Sequence, residues 1–294
     1  MRKCRFPYAG DLTSRSGPDV LVGAITAAIR DDPRFANLND HPWGPDDIAW
    51  YPVGHAWIWD AMKRGVPFAI GPNVLYGSSQ QPGACDGELQ LHAYQNYTAI
   101  FTLSRWYSAL QQKHFMQKSR HYILDYPLPQ KWLTIPIDAQ NDFDAMIFLK
   151  GGAIEQTIAN EIRTRIPRSV IIQYGAYTRD QLFDAARRSK CCFYISREDH
   201  YPLAAVEITL TGCPIVSDER SCPVLRHGAN GILAAVRERG ESDPFVWAKD
   251  AAERMAVEYA GACKLDRSMV RAATIAAHDP ALMRERVAAQ LGLG

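Results

Sequence analysis

The sequence has no apolar run approaching the eighteen or so residues that a membrane-spanning helix needs. Nor is a secretory leader expected, because Met1-Arg2-Lys3-Cys4-Arg5 runs into Pro7 and Gly10 rather than into a continuous apolar segment. No sign of charge dominates: 33 Lys and Arg against 32 Asp and Glu leave a formal net charge of +1. No global field therefore recruits an anionic membrane, and nucleic acid is not favoured as a partner, since its affinity rests on phosphate neutralisation. Cysteine is sparse, at seven residues, with no CxxC spacing and no flanking histidines, which excludes a zinc site of the usual kind. The scattered thiols read as reduced and mostly buried. No GxGxxG opens either half, which argues against a dinucleotide oxidoreductase, and no DxD pair marks a metal–diphosphate site. Internal repeats and low-complexity tails are absent. What remains is the composition of a soluble globular enzyme working in the cytoplasm, 47% hydrophobic and 22% charged over 294 residues, enough for two domains with their own cores.

The most informative stretch runs from Lys190 to Leu233. Cys191-Cys192-Phe193-Tyr194-Ile195-Ser196 is a short apolar run that reads as a buried strand. A polar turn, Arg197-Glu198-Asp199-His200, follows it. Tyr201 to Thr211, with Leu203, Val206, Ile208 and Leu210, then reads as a helix that Gly212 stops. Cys213-Pro214-Ile215-Val216-Ser217 begins the next strand. Strand, loop, helix and strand form a βαβ unit whose acidic turn lies at the carboxyl end of its first strand, where open parallel sheets bind ligands. A lone carboxylate on a helix is ordinarily just solvated, but Glu207 stands where it could accept two ribose hydroxyls.

Asp199-x7-Glu207, then Gly212-Cys213-Pro214-Ile215-Val216, then His227-Gly228-x-Asn230-Gly231 together resemble the donor-site signature of GT-B glycosyltransferases, in particular the retaining GT4-like group. That group usually has Glu at both ends of the seven-residue gap; here Asp199 takes the first position, with Glu198 just before it. The resemblance covers about the last half of the chain. It implies an α/β GT-B fold, two Rossmann-like domains facing a central cleft, with a nucleotide-sugar donor bound mainly by the second. It also implies a last helix that crosses back onto the first domain.

The first domain is expected over residues 1–127 and the donor domain over 128–294, joined at Tyr126-Pro127-Leu128-Pro129. Lys3 to Ala9 reads as a strand weakened by Pro7, and Asp19 to Arg30 as a helix entered through Gly17-Pro18. Asp31 to Asp47 has no usable periodicity. Ile48–Val53 and Val66–Ile70 read as strands flanking a helix with Trp57, Ile58, Trp59 and Met62. This places His55 and Asn73 at the carboxyl ends of strands. By resemblance, a histidine at such a loop serves the donor or the acceptor, and Gly17 lies in the glycine-bearing first loop at the cleft. Tyr76 to Glu88 reads as a flexible loop, Ala99–Leu103 as a strand and Ser104 to about Lys118 as an aromatic helix, before a strand His121–Leu124. In the second domain, Phe143–Leu149 is a strand, Lys150-Gly151-Gly152 a loop, and Ile154–Arg165 a helix. A lysine followed by glycines before a helix suits a diphosphate: glycines admit the backbone, the helix supplies N–H groups, and the ammonium supplies charge. Val170–Tyr174 is a strand, Thr178 and Gln181 form a capping box for the next helix, and Asp243–Tyr259 and Pro280–Leu291 are helices.

These readings point to transfer of a hexosyl unit from a UDP- or GDP-sugar to a hydroxyl acceptor, without cofactor or metal. Lys150 faces the leaving diphosphate, aided by backbone donors at Ser221, Val224 and Leu225. Asp199 or Glu198 orients the sugar, Glu207 holds the ribose, and His200, Tyr201, Pro202 and Leu203 complete the donor site. The acceptor stays open among a polysaccharide, a lipid-linked sugar, a metabolite and a modified nucleobase. Two alternatives are an epimerase or hydrolase of nucleotide sugars, and a degenerate module that binds a nucleotide sugar or a partner without turnover.

Overall fold

The computed structural model describes residues 2–13, 17–53, 63, 65–73, 98–114, 121–138, 140–199, 202–237 and 243–294. The chain divides into two compact units, one of residues 1–129 with 278–294 and the other of residues 130–277. Among the described residues, no helix is long and apolar enough to cross a membrane.

The first unit is built on a six-stranded parallel sheet. Its strands are β1 (Cys4–Phe6), β2 (Phe35–Asn37), β3 (Ile48–Val53), β4 (Phe68–Asn73), β5 (Ala99–Thr102) and β6 (His121–Ile123), in the order β2-β1-β3-β4-β5-β6. Pro7 ends β1 after three residues, since it has no N–H for the ladder. β2 falls inside the 31–47 stretch that carried no period, because three residues are too few to show one. β4 runs on through Gly71-Pro72-Asn73 instead of stopping at Ile70. A Cβ at Gly71 would lie 2.1 Å from the Phe101 carbonyl oxygen, so only glycine lets β4 pass that close to its neighbour. Helix α1 (Gly17–Ile29) is buried on nearly every side, and α2 (Arg105–His114) follows β5.

Gly10 precedes α1 at φ +90, and a Cβ there would meet the Gly23 nitrogen at 2.2 Å. Around Gly17 a Cβ would meet nothing within 4 Å. Of the glycines in this first loop, Gly10 is the one geometry demands. Gly10→Ala is expected to destabilise the protein by at least ~2 kcal/mol through left-handed strain and the clash, and Gly17→Ala by under ~1 kcal/mol, both readable in urea unfolding.

Residues 278–294 return to this unit. Helix α9 (Pro280–Leu291; α3 to α8 belong to the second unit, below) has Asp279 as its N-cap, Pro280 at its first turn and Gly292 in the left-handed conformation at its end. Arg34 reaches Glu285 at 2.6 Å, Arg284 reaches Asp32 at 3.2 Å, and the buried His278 ring lies 2.8 Å from the Tyr126 carbonyl. Arg5 is a buried charge of this unit. Its guanidinium meets Asp47 at 2.7 Å and the carbonyls of Asp40 and Pro42, beneath the Trp43 ring.

The second unit carries a five-stranded parallel sheet of β7 (Phe143–Lys150), β8 (Ser169–Gln173), β9 (Ser189–Ser196), β10 (Ile215–Ser217) and β11 (Gly231–Leu233), ordered β11-β10-β9-β7-β8. β7 and β9 are central, so they read as continuous apolar runs and bury both faces. Alternation assigns the faces. Ala145, Ile147, Leu149, Cys191 and Phe193 pack under α3 (Ala153–Arg165) and α6 (Pro244–Val257). Met146, Phe148, Cys192 and Tyr194 pack under α4 (Arg179–Arg187) and α5 (Leu203–Leu210). The Thr178–Gln181 capping box opens α4 as its spacing predicts.

Between them lie a 3-10 helix at Gln130–Thr134, α7 (Tyr259–Ala262) and α8 (Arg267–Ala277), none apparent in the sequence. The first two are too short for a period, and α8 presents only Val270, Thr274 and Ala277 as its buried stripe. It is held through arginines. Arg267 donates to the carbonyls of Ser189, Ala186 and Thr211, and Arg271 to those of Leu210, Ile135 and Leu133. Of these carbonyls, those of Ala186, Leu210 and Thr211 lie at the carboxyl ends of α4 and α5, where the helix dipole favours a cation.

Candidate active site

β7 and β9 lie side by side, but the helices that follow them go to opposite faces of the sheet. This is a topological switch point, and in open α/β sheets ligands sit outside the strand carboxyl ends there. The last residues of the two strands, Lys150 and Ser196, are register partners. Lys150, read from sequence as a loop residue, is thus fixed on the sheet.

Three residues beyond β9, the buried Asp199 turns back to this point. Its Oδ2 accepts from Lys150 Nζ at 2.8 Å and from the Tyr194 hydroxyl at 3.0 Å. Tyr194 is held flat against Phe148, with ring centroids 4.8 Å apart and planes 13° apart. Burial, and then the Asp199 charge, push the Tyr194 hydroxyl well above its usual range, so it stays a neutral donor. Lys150 also sits 5.0 Å over the half-exposed Tyr174 ring. The Asp199 N–H donates to the Arg220 carbonyl at 3.0 Å, which fixes the turn.

Glu198 has a different partner. Its carboxylate meets the Arg220 guanidinium at 3.2 Å, and its carbonyl accepts from the Ser196 hydroxyl. The two neighbouring acids therefore diverge: Asp199 goes to the lysine at the end of β7, Glu198 to the arginine after β10.

Glu207, on α5, is 3% exposed, and its Oε1 accepts from Arg179 Nε at 2.7 Å. Burial raises its pKa, opposed by Arg179 and, more weakly, by Lys131. Arg179 in turn lies 5.5 Å over the Trp132 ring.

At the Lys150-Gly151-Gly152 turn, a Cβ on Gly151 would come within 2.5 Å of the Glu155 side chain. The Glu155 carboxylate accepts the Gly152 N–H at 2.9 Å and caps α3 from within. One of the helix N-terminal donors aimed by the sequence at a diphosphate thus already holds a carboxylate. The 221–225 turn is also largely self-satisfied. Ser221 N–H bonds Asp218 Oδ1, Cys222 N–H the Asp218 carbonyl and Leu225 N–H the Cys222 carbonyl, while position 223 is proline. The Val224 and Leu225 side chains turn to the core. The Ser221 hydroxyl spans Ser196 O and Asp218 Oδ2 at 2.5 Å each, tying this turn to the end of β9.

Pro202 precedes α5, and its carbonyl takes the first N–H of the helix, from Ala205 at 2.9 Å; Leu203 begins the helix half-buried. The His227–Gly231 segment serves the fold. Asn230 Oδ1 accepts the Arg226 N–H at 2.7 Å, and a Cβ at Gly231 would strike the Ile215 carbonyl at 2.3 Å. Asn73 ends β4 beside Val53, and Gly17 is the first residue of α1. His55, His200 and Tyr201 lie outside the described residues.

One Asp-x-Asp string does occur, Asp142-Phe143-Asp144, but at the amino end of β7, where Arg188 and Lys190 pair with its two acids at 2.8 and 2.7 Å. Among the described residues, no three His, Cys, Asp or Glu side chains gather as a metal-binding group. Sequence reasoning overlooked Tyr194, Arg179 and Arg220. Tyr194 had a signal, since strand parity puts it on the same side as Ser196; the arginines had none, because their partners are remote in sequence.

No protein-family model and no curated protein matches the chain. Solved structures do. The lipopolysaccharide outer core galactosyltransferase WaaB, in its apo form, has a TM-score of 0.66 at 9% sequence identity over 99% of each chain. Anabaena HepE in complex with UDP gives 0.65 at 11% identity, over 99% of this chain and 100% of that one. Sucrose-phosphate synthase from Thermosynechococcus elongatus gives 0.56 at 13% identity, over 84% of this chain and 73% of that one. The likeness is one of fold: two α/β units on parallel sheets, the GT-B architecture.

Proposed function

We propose that this protein transfers a hexosyl unit from a UDP- or GDP-sugar to a hydroxyl acceptor, with retention at the anomeric carbon and with protein cations facing the leaving diphosphate. The observation that carries this is the Lys150–Asp199–Tyr194 cluster at the switch point between β7 and β9, with the buried Glu207 on the helix that follows. As the anomeric C–O bond breaks, charge grows on the diphosphate, and a fixed ammonium there stabilises the transition state. Lys150 supplies it. Asp199 accepts sugar hydroxyls and Glu207 those of the ribose; His55 serves the donor or the acceptor. The acceptor oxygen bonds the anomeric carbon, and its proton leaves with the released diphosphate. End-to-end likeness to a galactosyltransferase and to a UDP-bound protein supports the reading.

A second reading, a binder without turnover, draws on two acids near the phosphate position: Asp199 already neutralises Lys150, and Glu155 already caps α3. Thermal shift against nucleoside diphosphates and their sugars, followed by assay of nucleoside diphosphate release, separates the two. A transferase gains stability with the donor and slowly hydrolyses it; a binder only gains stability; no shift with any nucleotide sinks both. Glu207→Gln is expected to weaken donor affinity about ten- to a hundredfold, the worth of a charged hydrogen bond. Unchanged affinity would remove Glu207 from the site.

A further inference from the structure

Glu207 is an acid in a place that disfavours its charge. It is 3% exposed, on a helix whose other residues are almost all apolar and buried. A carboxylate there takes up a proton unless a cation opposes burial, and a protonated acid is a poorer acceptor for a hydroxyl. Among the described residues, the groups that face it are few. From α4 comes Arg179, at 2.7 Å from Oε1; from the 3-10 helix come Lys131, at longer range, and Trp132, which carries the Arg179 guanidinium on its ring. Tyr177, in the turn before α4, contributes a phenol that burial and then the Glu207 charge keep neutral. On α8, Arg267 and Arg271 donate to backbone carbonyls. Arg179 is therefore the cation that meets the carboxylate directly.

We propose that Arg179 is a positioning residue for the donor: by clamping Oε1 it holds Glu207 in one rotamer as a charged acceptor, with the other oxygen turned to the ribose. This rests on the assignment of Glu207 to the ribose. Among the described residues no donor meets Oε2, and a carboxylate has about four acceptor positions, so the clamp leaves room for two hydroxyls. The contact spans 28 residues and joins the start of α4 to the middle of α5.

The sign of the effect follows from burial. Without the guanidinium, desolvation acts on Glu207 with Lys131 alone of the described residues against it, so the acid binds its proton at higher pH. Donor affinity then falls as pH drops through that raised value and recovers above it. The test is titration calorimetry with UDP-glucose, or GDP-mannose if the wild type prefers it; neither diphosphate titrates between pH 5.5 and 9, and the nucleobase N–H that begins to ionise near pH 9 does so equally for wild type and variants. Arg179→Met keeps a long unbranched side chain beside Trp132 and removes the charge. Its affinity is expected to fall about tenfold below wild type near pH 6, yet to lie within about threefold near pH 9, the profile moving up by about one unit. Arg179→Lys is expected to follow wild type within about threefold throughout. Where the Met variant does not fold, Arg179→Gln replaces it.

If Glu207→Gln binds donor as wild type does, or if wild type binds neither nucleotide sugar, the donor-site assignment itself is lost. If Glu207→Gln is weakened but Arg179→Met follows the wild-type pH profile, the role of Arg179 alone is overturned. A uniform loss at every pH in both the Met and Lys variants also overturns it, because Arg179 would then touch the donor or serve only the fold.

Discussion

Lys150→Ala is expected to lower turnover about 10²–10³-fold while donor affinity falls less than about tenfold. The ammonium sits at the end of a buried strand, held at 2.8 Å from Asp199, so in the proposed role it would meet the diphosphate with little reorganisation. Charge that develops only as the bond breaks is stabilised in the transition state more than in the bound donor, so kcat carries the loss. The same substitution strips Asp199 of the Lys150 cation while the Tyr194 hydroxyl stays in place, so some stability is lost as well. Lys150→Ala with Asp199→Ala is therefore expected to recover stability without recovering turnover, which separates the two effects. Asp199→Asn should also reduce transfer with nucleoside diphosphate still bound, and Glu198→Gln, facing Arg220, should not. Inactivity of Glu198→Gln beside an active Asp199→Asn would move the sugar-orienting role by one residue.

Asp47→Ala is expected to cost ~3–5 kcal/mol of stability, measured by denaturant unfolding, because it leaves Arg5 buried without its counter-charge. Arg5 is 5% and Asp47 3% exposed, and the Asp47 carboxylate also accepts the Lys3 and Gly44 N–H groups at 3.0 Å each. Burial alone would raise the Asp47 pKa. The Gly44 N–H, the Arg5 guanidinium and the Lys3 N–H outweigh it and hold the acid below the usual carboxylate range. The unfolded chain therefore binds the Asp47 proton at higher pH than the folded one. Its contribution is complete above the unfolded value of about 4 and disappears as pH falls through the lower folded value. Wild type should lose stability in that acid window more steeply than Asp47→Ala; parallel curves would show that the pair does not control it.

Much of the second unit was legible in the sequence. β7 and β9 announce themselves as unbroken apolar runs, since a central strand buries both faces. Thr178 and Gln181 mark the start of α4 by a contact three residues long, and Asp243-Pro244 marks that of α6. Even the Glu155 cap of Gly152 lies within reach of a local reading. The short strands β2 and β11 and the small-residue helix α8 were not legible, because three residues show no period and alanine makes a weak stripe.

The sequence by itself determined which residues could bear the chemistry: a lysine before glycines, two adjacent acids after a strand, and a third acid on the next helix. Only the tertiary structure decided their partners. Lys150 meets Asp199 across 49 residues because β7 and β9 pair in a register that sets Lys150 beside Ser196. Glu207 meets Arg179 because α4 and α5 share one face of the sheet. Capping and periodicity are fixed by contacts within one turn, whereas a charge finds its counter-charge only when strand order and helix face have brought distant segments together.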